Sequence, residues 1–207
     1  MLANNALTTL ERMKLMLGLS DVNDERIDTI LSLLINKASS WIERQTGRHL
    51  GKDTYQQWYV ADGQQELVTL EYPIIRVEFV KEDGQLVDPS LYDYGQTGNI
   101  GVIYRDDGWL KASYRRGLAY DSVAPKRNIE VRYTAGYVLP KDATKKNPQT
   151  LPADLEGLVW EMVAQAYTSL QNGSQGLTSF TISDVVWVFD KSTPAAWTQL
   201  INLYRRY

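Results

Sequence analysis

His49 is the only histidine in the chain, and there is no cysteine. Nucleophilic catalysis through a Ser-His-Asp arrangement would have to run through that one ring. Thiolate nucleophiles, disulfides, iron-sulfur clusters and Cys-containing zinc sites are excluded outright, and a histidine-rich metal site cannot be assembled within one chain. His49 follows the expected end of a helix, where a polar ring bonds free carbonyl groups, and it is assigned no chemistry. Carboxylates, lysines and tyrosines remain. Asp62, Glu66 and the pair Asp106-Asp107 would suit the two-carboxylate hydrolysis of a glycoside, but acidic residues flanking glycine in turns are expected for turn geometry alone. Neither GxxxxGK[ST] nor GxGxxG occurs, so nucleotide binding by those loops is not indicated.

The chain has 13 Tyr and 6 Trp, and many fall in one stretch: Tyr55, Trp58, Tyr59, Tyr92, Tyr94, Tyr104, Trp109 and Tyr114. Such residues stack on sugars, carry a protein interface or fill a two-sided β core, and all three readings stay open. The basic residues Lys111, Arg115, Arg116, Lys126 and Arg127 surround a Gly-containing loop. A solvated face is the ordinary meaning of such a group, yet it is the one local patch suited to nucleic acid. Globally, 22 Lys and Arg stand against 25 Asp and Glu in 207 residues, so net charge does not drive the chain toward nucleic acid or membrane. No apolar run reaches the roughly 20 residues that cross a bilayer. The start, MLANNALTTLERMKLML, lacks a basic segment followed by a continuous apolar core. The expectation is a soluble protein that stays in the cytoplasm of the cell producing it.

The elements that would position these residues follow from periodicity. Leu7, Leu10, Lys14 and Leu17 predict a first helix, with Thr8 or Thr9 near its start and Gly18 at its end. Ile27, Ile30, Leu31, Leu34, Ala38, Trp41 and Ile42 predict one apolar stripe on a second helix that stops at Gly47. Over 51–139 short β-prone runs alternate with the turn signals Asp62-Gly63, Asp83-Gly84, Gly98-Asn99 and Asp107-Gly108. The predicted strands are 55–60, 66–70, 75–81, 100–105 and 129–134. Pro140, Pro148 and Pro152 surround a linker rich in Lys, Asn and Thr. Pro152 then opens a third helix that buries Leu155, Leu158, Val159, Met162, Val163, Ala166 and Leu170 and ends at Gly173 and Gly176. Residues 180–182 and 185–189 predict a hairpin turning at Ser183-Asp184, and Pro194 opens a short last helix.

The resulting fold class is α+β: a helical bundle with an inserted antiparallel β-lobe and a C-terminal β-hairpin. The bundle has two N-terminal helices, one long helix in the C-terminal half and a short terminal helix. By domain, 1–50 is the helical pair, 51–139 the β-rich lobe, 140–151 a linker, and 152–207 the part completing the helical core. Two segments of this frame are candidate contact surfaces. The last helix carries Trp197, Ile201 and Tyr204 and ends in Arg205-Arg206-Tyr207, the composition of an interface anchor; the alternative is that it only covers the core. Val185-Val186-Trp187-Val188-Phe189 is apolar on both faces, which a two-stranded hairpin cannot bury alone. Trp187 and Phe189 are therefore expected to insert under other elements or to meet a neighbouring chain.

Several stretches, in order, carry a family resemblance. Ile42-Glu43-Arg44-Gln45-Thr46-Gly47-Arg48 ends the helical pair, Leu70-Glu71-Tyr72-Pro73-Ile74-Ile75-Arg76-Val77 leads into a strand, and Val131-Arg132-Tyr133-Thr134-Ala135-Gly136-Tyr137 precedes the third helix, which opens at Leu151-Pro152-Ala153-Asp154-Leu155. Together they resemble the phage head-tail connector (adaptor) family over nearly the whole chain, with a long insertion, roughly 83–126, relative to shorter members. The resemblance implies a non-enzymatic structural subunit of a homo-oligomeric ring, dodecameric in the virion, docked on the phage portal protein. It further implies a platform for the next neck or tail-completion protein and a channel that DNA crosses transiently and non-specifically, with no cofactor, metal or membrane. The implied location is the head-tail interface of the virion, and the host cytoplasm during assembly. In that frame Trp197, Ile201, Tyr204, Arg205, Arg206 and Tyr207 are the expected portal-docking residues, and Trp187 and Phe189 the subunit interface. Lys111, Arg115 and Arg116 are then a weak, salt-sensitive DNA-facing patch. Stopper and tail-completion proteins are neighbouring readings. A carbohydrate- or protein-binding β module is the alternative that the aromatics suggest, and a carboxylate-dependent glycosidase is the third.

Overall fold

The computed structural model describes residues 1–95, 101–112, 114–116, 123–125, 127–171, 179–182, 185–188 and 194–205; for 114–116, 123–125, 179–182 and 185–188 it describes the backbone. The chain begins with α1 (Leu10–Met16) and α2 (Glu25–Thr46). Among the described residues nine strands follow: β1 (Asp53–Tyr59), β2 (Glu66–Val68), β3 (Ile74–Glu82), β4 (Gln85–Leu86), β5 (Asp93–Tyr94), β6 (Val102–Tyr104), β7 (Tyr114–Arg116), β8 (Val123–Pro125) and β9 (Ile129–Ala135). It ends with α3 (Ala153–Gln171), β10 (Ser179–Ile182), β11 (Val185–Val188) and α4 (Ala195–Tyr204). Two compact units result, a helical one from Met1–Leu50 and Val138–Tyr207 and a β-rich one from Gly51–Tyr137. The α+β class read from the sequence is the observed class.

In the helical unit α1 starts later than its periodicity predicts. Thr9 is the N-cap, its hydroxyl accepting the Arg12 N–H at 3.3 Å, and Leu7 lies ahead of the helix with its own N–H donated to Ser39 Oγ at 3.0 Å. A helix of 7 residues is too short to hold itself together in water, so tertiary bonds must hold it. α2 is capped by Asp24 and stops, as predicted, at Gly47, which adopts the left-handed conformation at φ 70°. Its buried row is Leu31, Ile35, Ala38 and Ile42, flanked by Ser32 and Ser39, and it differs from the predicted stripe: Ile30, Leu34 and Trp41 are turned out of it. The apolar residues of α2 span a wider arc than one face, and packing against α1 and α3 selects only part of it. In α3 Leu155, Leu158, Val159 and Val163 are buried as expected, but Leu170 is 41% exposed and Tyr167, four residues after Val163, continues the buried row. The predicted end of α3 at Gly173 and Gly176 lies outside the described residues. β10 and β11 pair antiparallel with Ile182 opposite Val185, as the hairpin reading requires.

The helical unit is joined by a buried carboxylate. Glu156, 3% exposed, accepts bonds from Thr8 Oγ1 at 2.8 Å, from Arg12 through both oxygens at 2.9 and 2.8 Å, and from Gln149 Nε2 at 2.9 Å. Trp160 Nε1 donates to the same Thr8 hydroxyl at 2.9 Å. The loop that delivers Gln149 is closed at its base, where the Val138 N–H donates to Thr150 Oγ1 at 2.8 Å.

In the β-rich unit the main sheet has the order β1-β9-β3-β4, entirely antiparallel. β9 buries Ile129, Val131, Tyr133 and Ala135 and alternates as predicted. Asp83 at φ 49° and Gly84 at φ 86° make the tight β3–β4 turn that their sequence signals. A second sheet has the order β2-β6-β5, and β7 pairs with β8. Tyr133 and Trp109 are buried in the core, with Tyr55, Tyr59, Tyr92 and Tyr94 packed against it, so the aromatic wealth of this region is largely β core. The Tyr133 hydroxyl donates to Gln57 Oε1 at 2.7 Å and accepts the Glu71 N–H at 3.2 Å. Burial pushes its pKa above the ordinary phenol value of 10.0, outweighing the hydrogen bonds from Tyr59 and the Glu71 backbone.

Two predictions follow from these anchors. Glu156→Ala leaves the buried Thr8 hydroxyl without its acceptor and takes one acceptor from the half-exposed Arg12 and Gln149, which still bond each other, and it is expected to lower the unfolding free energy by about 1 to 3 kcal/mol in urea denaturation. Tyr133 supplies a pH dependence. Its folded pKa is raised, so the stability it contributes is complete below 10.0 and is lost as pH rises from there through the folded pKa. The unfolding midpoint of the wild-type chain should fall over that alkaline range, and Tyr133→Phe should flatten the fall.

Candidate functional site

The residues weighed for catalysis lie beside a helix end, in turns and on a strand. His49 is exposed, with Nδ1 3.8 Å from Glu43 Oε2. Asp62 accepts the Gln64 N–H at 3.0 Å within its turn, and Asp106 and Asp107 lead into Gly108 at φ 75°. Among the described residues no three His, Asp or Glu side chains cluster so as to hold a metal ion, and no helix is long and apolar enough to cross a membrane.

The motif at the end of α2 is a joint. The Gly47 N–H caps Glu43 O at 2.9 Å, while the Glu43 carboxylate accepts Asn5 Nδ2 at 2.8 Å and the Leu50 N–H at 3.0 Å. Its residues thereby tie the start of the chain to the point where it leaves the helix. The other two motifs meet each other, because the Gly136 N–H, at φ 101°, donates to Pro73 O at 3.0 Å.

The terminal helix is built onto α3. Trp197 Nε1 donates to Glu161 Oε2 at 2.8 Å, and the Tyr204 hydroxyl meets both oxygens of Asp154 at 2.9 and 2.8 Å. Ile201 is buried beneath the helix. The outward face carries Leu203, 78% exposed, followed by an exposed Arg205; Arg206 and Tyr207 lie outside the described residues. Trp187 is paired through its backbone with Phe180 in the hairpin, but its side chain, and Phe189 altogether, lie outside what is described. Lys111 is exposed, and Arg115 and Arg116 form β7, of which only the backbone is described.

A surface that periodicity did not single out lies within the helical unit. α2, α3 and α4 leave between them an open groove of about 390 Å³, walled by Leu34, Trp41, Met162, Ala166 and Trp197 and bordered by Lys37 and Arg44. Four of these walls, Leu34, Trp41, Met162 and Ala166, were expected in the core. The signal available in the sequence was the excess width of the α2 stripe.

The fold has counterparts. It resembles a chain from the neck of an empty GTA particle computed with C6 symmetry, with a TM-score of 0.56 and 15% identity over 100% of this chain and 93% of that one. It also resembles a chain from the virion of a native gene transfer agent (GTA) particle, with a TM-score of 0.55 and 16% identity over 100% and 93%. No curated protein matches the chain. From the segment ahead of α1 to the first turn of α3, residues 6–156 match the family described as Head completion protein, and the chain belongs to that family.

Proposed function

We propose that the chain is a structural head-tail adaptor, one subunit of a homo-oligomeric ring that attaches to the phage portal, passes DNA and presents a platform to the next neck or tail-completion protein. Membership of the head completion family, over a span that includes all three joint-forming motifs, carries the reading. The likeness of the whole chain to a neck subunit supports it, and the neck in question was computed with C6 symmetry, as a cyclic assembly. A dodecameric ring contains that six-fold axis. The function is geometric and calls for no cofactor and no catalytic group. Its place is the head-tail interface of the virion.

Within this reading α4 is the portal-docking element. Trp197, Ile201, Tyr204, Arg205, Arg206 and Tyr207 are its docking residues; the bonds of Trp197 to Glu161 and of Tyr204 to Asp154 fix the orientation of the helix on α3, and Leu203 is exposed beside them. Trp187 and Phe189 supply a subunit contact, because the sequence run 185–189 is apolar at every position. Lys111, Arg115 and Arg116 give DNA only weak, salt-sensitive contacts, as suits a conduit that must not hold its cargo.

Removing residues 205–207 keeps Tyr204 on Asp154 and should yield a folded chain that still forms rings. Its affinity for purified portal should drop at least about ten-fold, or ~1.4 kcal/mol. Undiminished portal binding would refute the docking role of the tail. The ring itself is read by negative-stain microscopy and mass measurement at high concentration and with portal, where only separate subunits would count against an adaptor.

A further inference from the structure

We propose that the groove between α2, α3 and α4 receives the exposed tip of α1, Leu15 and Met16, from the adjacent copy in the ring. The inference rests on the ring reading and adds the contact that closes it. A closed ring of identical subunits needs two different, complementary surfaces on each subunit. α2 supplies the geometry for both. Its Asp28, Asn36 and Ser39 face the N-terminal segment and α1: Lys14 Nζ meets Asp28 at 2.8 Å, the Ala3 N–H donates to Asn36 Oδ1 at 2.8 Å, and the Leu7 N–H to Ser39 Oγ at 3.0 Å. Leu34, Lys37, Trp41 and Arg44 follow one another at spacings of three and four, which places them along the opposite flank of the helix. The tip and the groove thus lie on opposite sides of α2 within one unit, so the tip of a copy cannot fill its own groove but can fill a neighbour's.

Shape and charge agree. Leu15 is 69% and Met16 55% exposed at the end of a helix whose Met13 is fully buried, so they form an apolar knob with no partner of its own. An unbranched methionine adapts to an irregular groove. Lys37 and Arg44 at the groove border are exposed and make no salt bridge among the described residues. The knob is followed by exposed Asp21, Asp24 and Glu25, against the single exposed cation Arg26. An apolar knob with an acidic border therefore faces an apolar groove with a basic border. Ile30 and Leu33, both exposed, extend the apolar flank toward the start of α2.

Charge reversal tests the pairing. Lys37→Glu with Arg44→Glu, and separately Asp21→Lys with Glu25→Lys, should each raise the concentration needed for ring assembly at least ten-fold while leaving the unfolding midpoint unchanged. Asp24 is kept because it caps α2. A chain carrying all four reversals should assemble again. The absence of native cysteine permits a second readout: Met16→Cys combined with Gln165→Cys, treated with a short bis-maleimide, should give a ladder of linked copies. Rings formed by both reversal pairs at the wild-type concentration, or a four-fold variant that stays unassembled with no ladder from the cysteine pair, would overturn the contact while leaving the adaptor reading in place. A wild-type chain that forms no ring alone or on portal would overturn both.

Discussion

A carboxylate removed from water has to be surrounded by donors, and Glu156 draws them from parts of the chain far apart in sequence: Thr8 and Arg12 near the start, and Gln149 just ahead of α3. Leaving the group unsatisfied would cost more than the chain can spare, so the N-terminal segment and the 138–151 loop are held to one position on α3. α1 inherits its place from this constraint. Its 7 residues could not stay helical by local bonding alone, yet Arg12, within it, is fixed to Glu156, and Met13 is buried beside it. Everything that α1 presents outward, the Leu15-Met16 tip included, is thereby presented at a defined position.

The β-rich unit uses the same device. Glu82, mostly buried, accepts Arg105 at 2.9 Å and the Leu110 N–H at 2.6 Å. Asn128 accepts the Ala61 N–H at 3.0 Å and donates to Leu110 O at 2.7 Å. These bonds anchor the 105–110 loop to the main sheet with few apolar residues of its own. Gly101 marks how tightly the second sheet is closed, since at φ 64° a Cβ there would lie 2.7 Å from Tyr72 Cβ. The described residues 105–110 of the insertion are held in this way by buried polar bonds.

For an assembly protein a defined position for the surface of each unit is itself functional. A ring closes only if the rotation between neighbours is the same at each contact, and a subunit that flexed at its joints would tolerate several. The motifs that carry the family resemblance lie at those joints. Glu43 and Gly47 fasten the exit from α2, and Gly136 and Pro73 bond two segments beside the main sheet. These four residues serve the fold, whereas Arg44 and Ile75 of the same motifs are exposed.

Sequence alone determined the features governed by a few neighbouring residues. The left-handed stop at Gly47, the Asp83-Gly84 turn, the prolines that open α3 and α4, the alternation of β9 and hence the α+β class were all readable, because backbone conformation and capping are decided locally. Where a side chain would end up was another matter. The width of the apolar arc on α2 was visible, but which part of it would be buried depended on the approach of α1 and α3, brought in by Glu156 and Ser39. The tyrosines of the β-rich unit left core, interface and sugar stacking open until strand pairing enclosed Tyr133. Trp197, Ile201 and Tyr204 looked alike as anchor residues, and only the partners Glu161 and Asp154 and the burial of Ile201 showed that they hold α4 in place. Burial is a property of pairs of surfaces distant in sequence, and the groove beside Trp41 exists only because three helices stop short of closing over it.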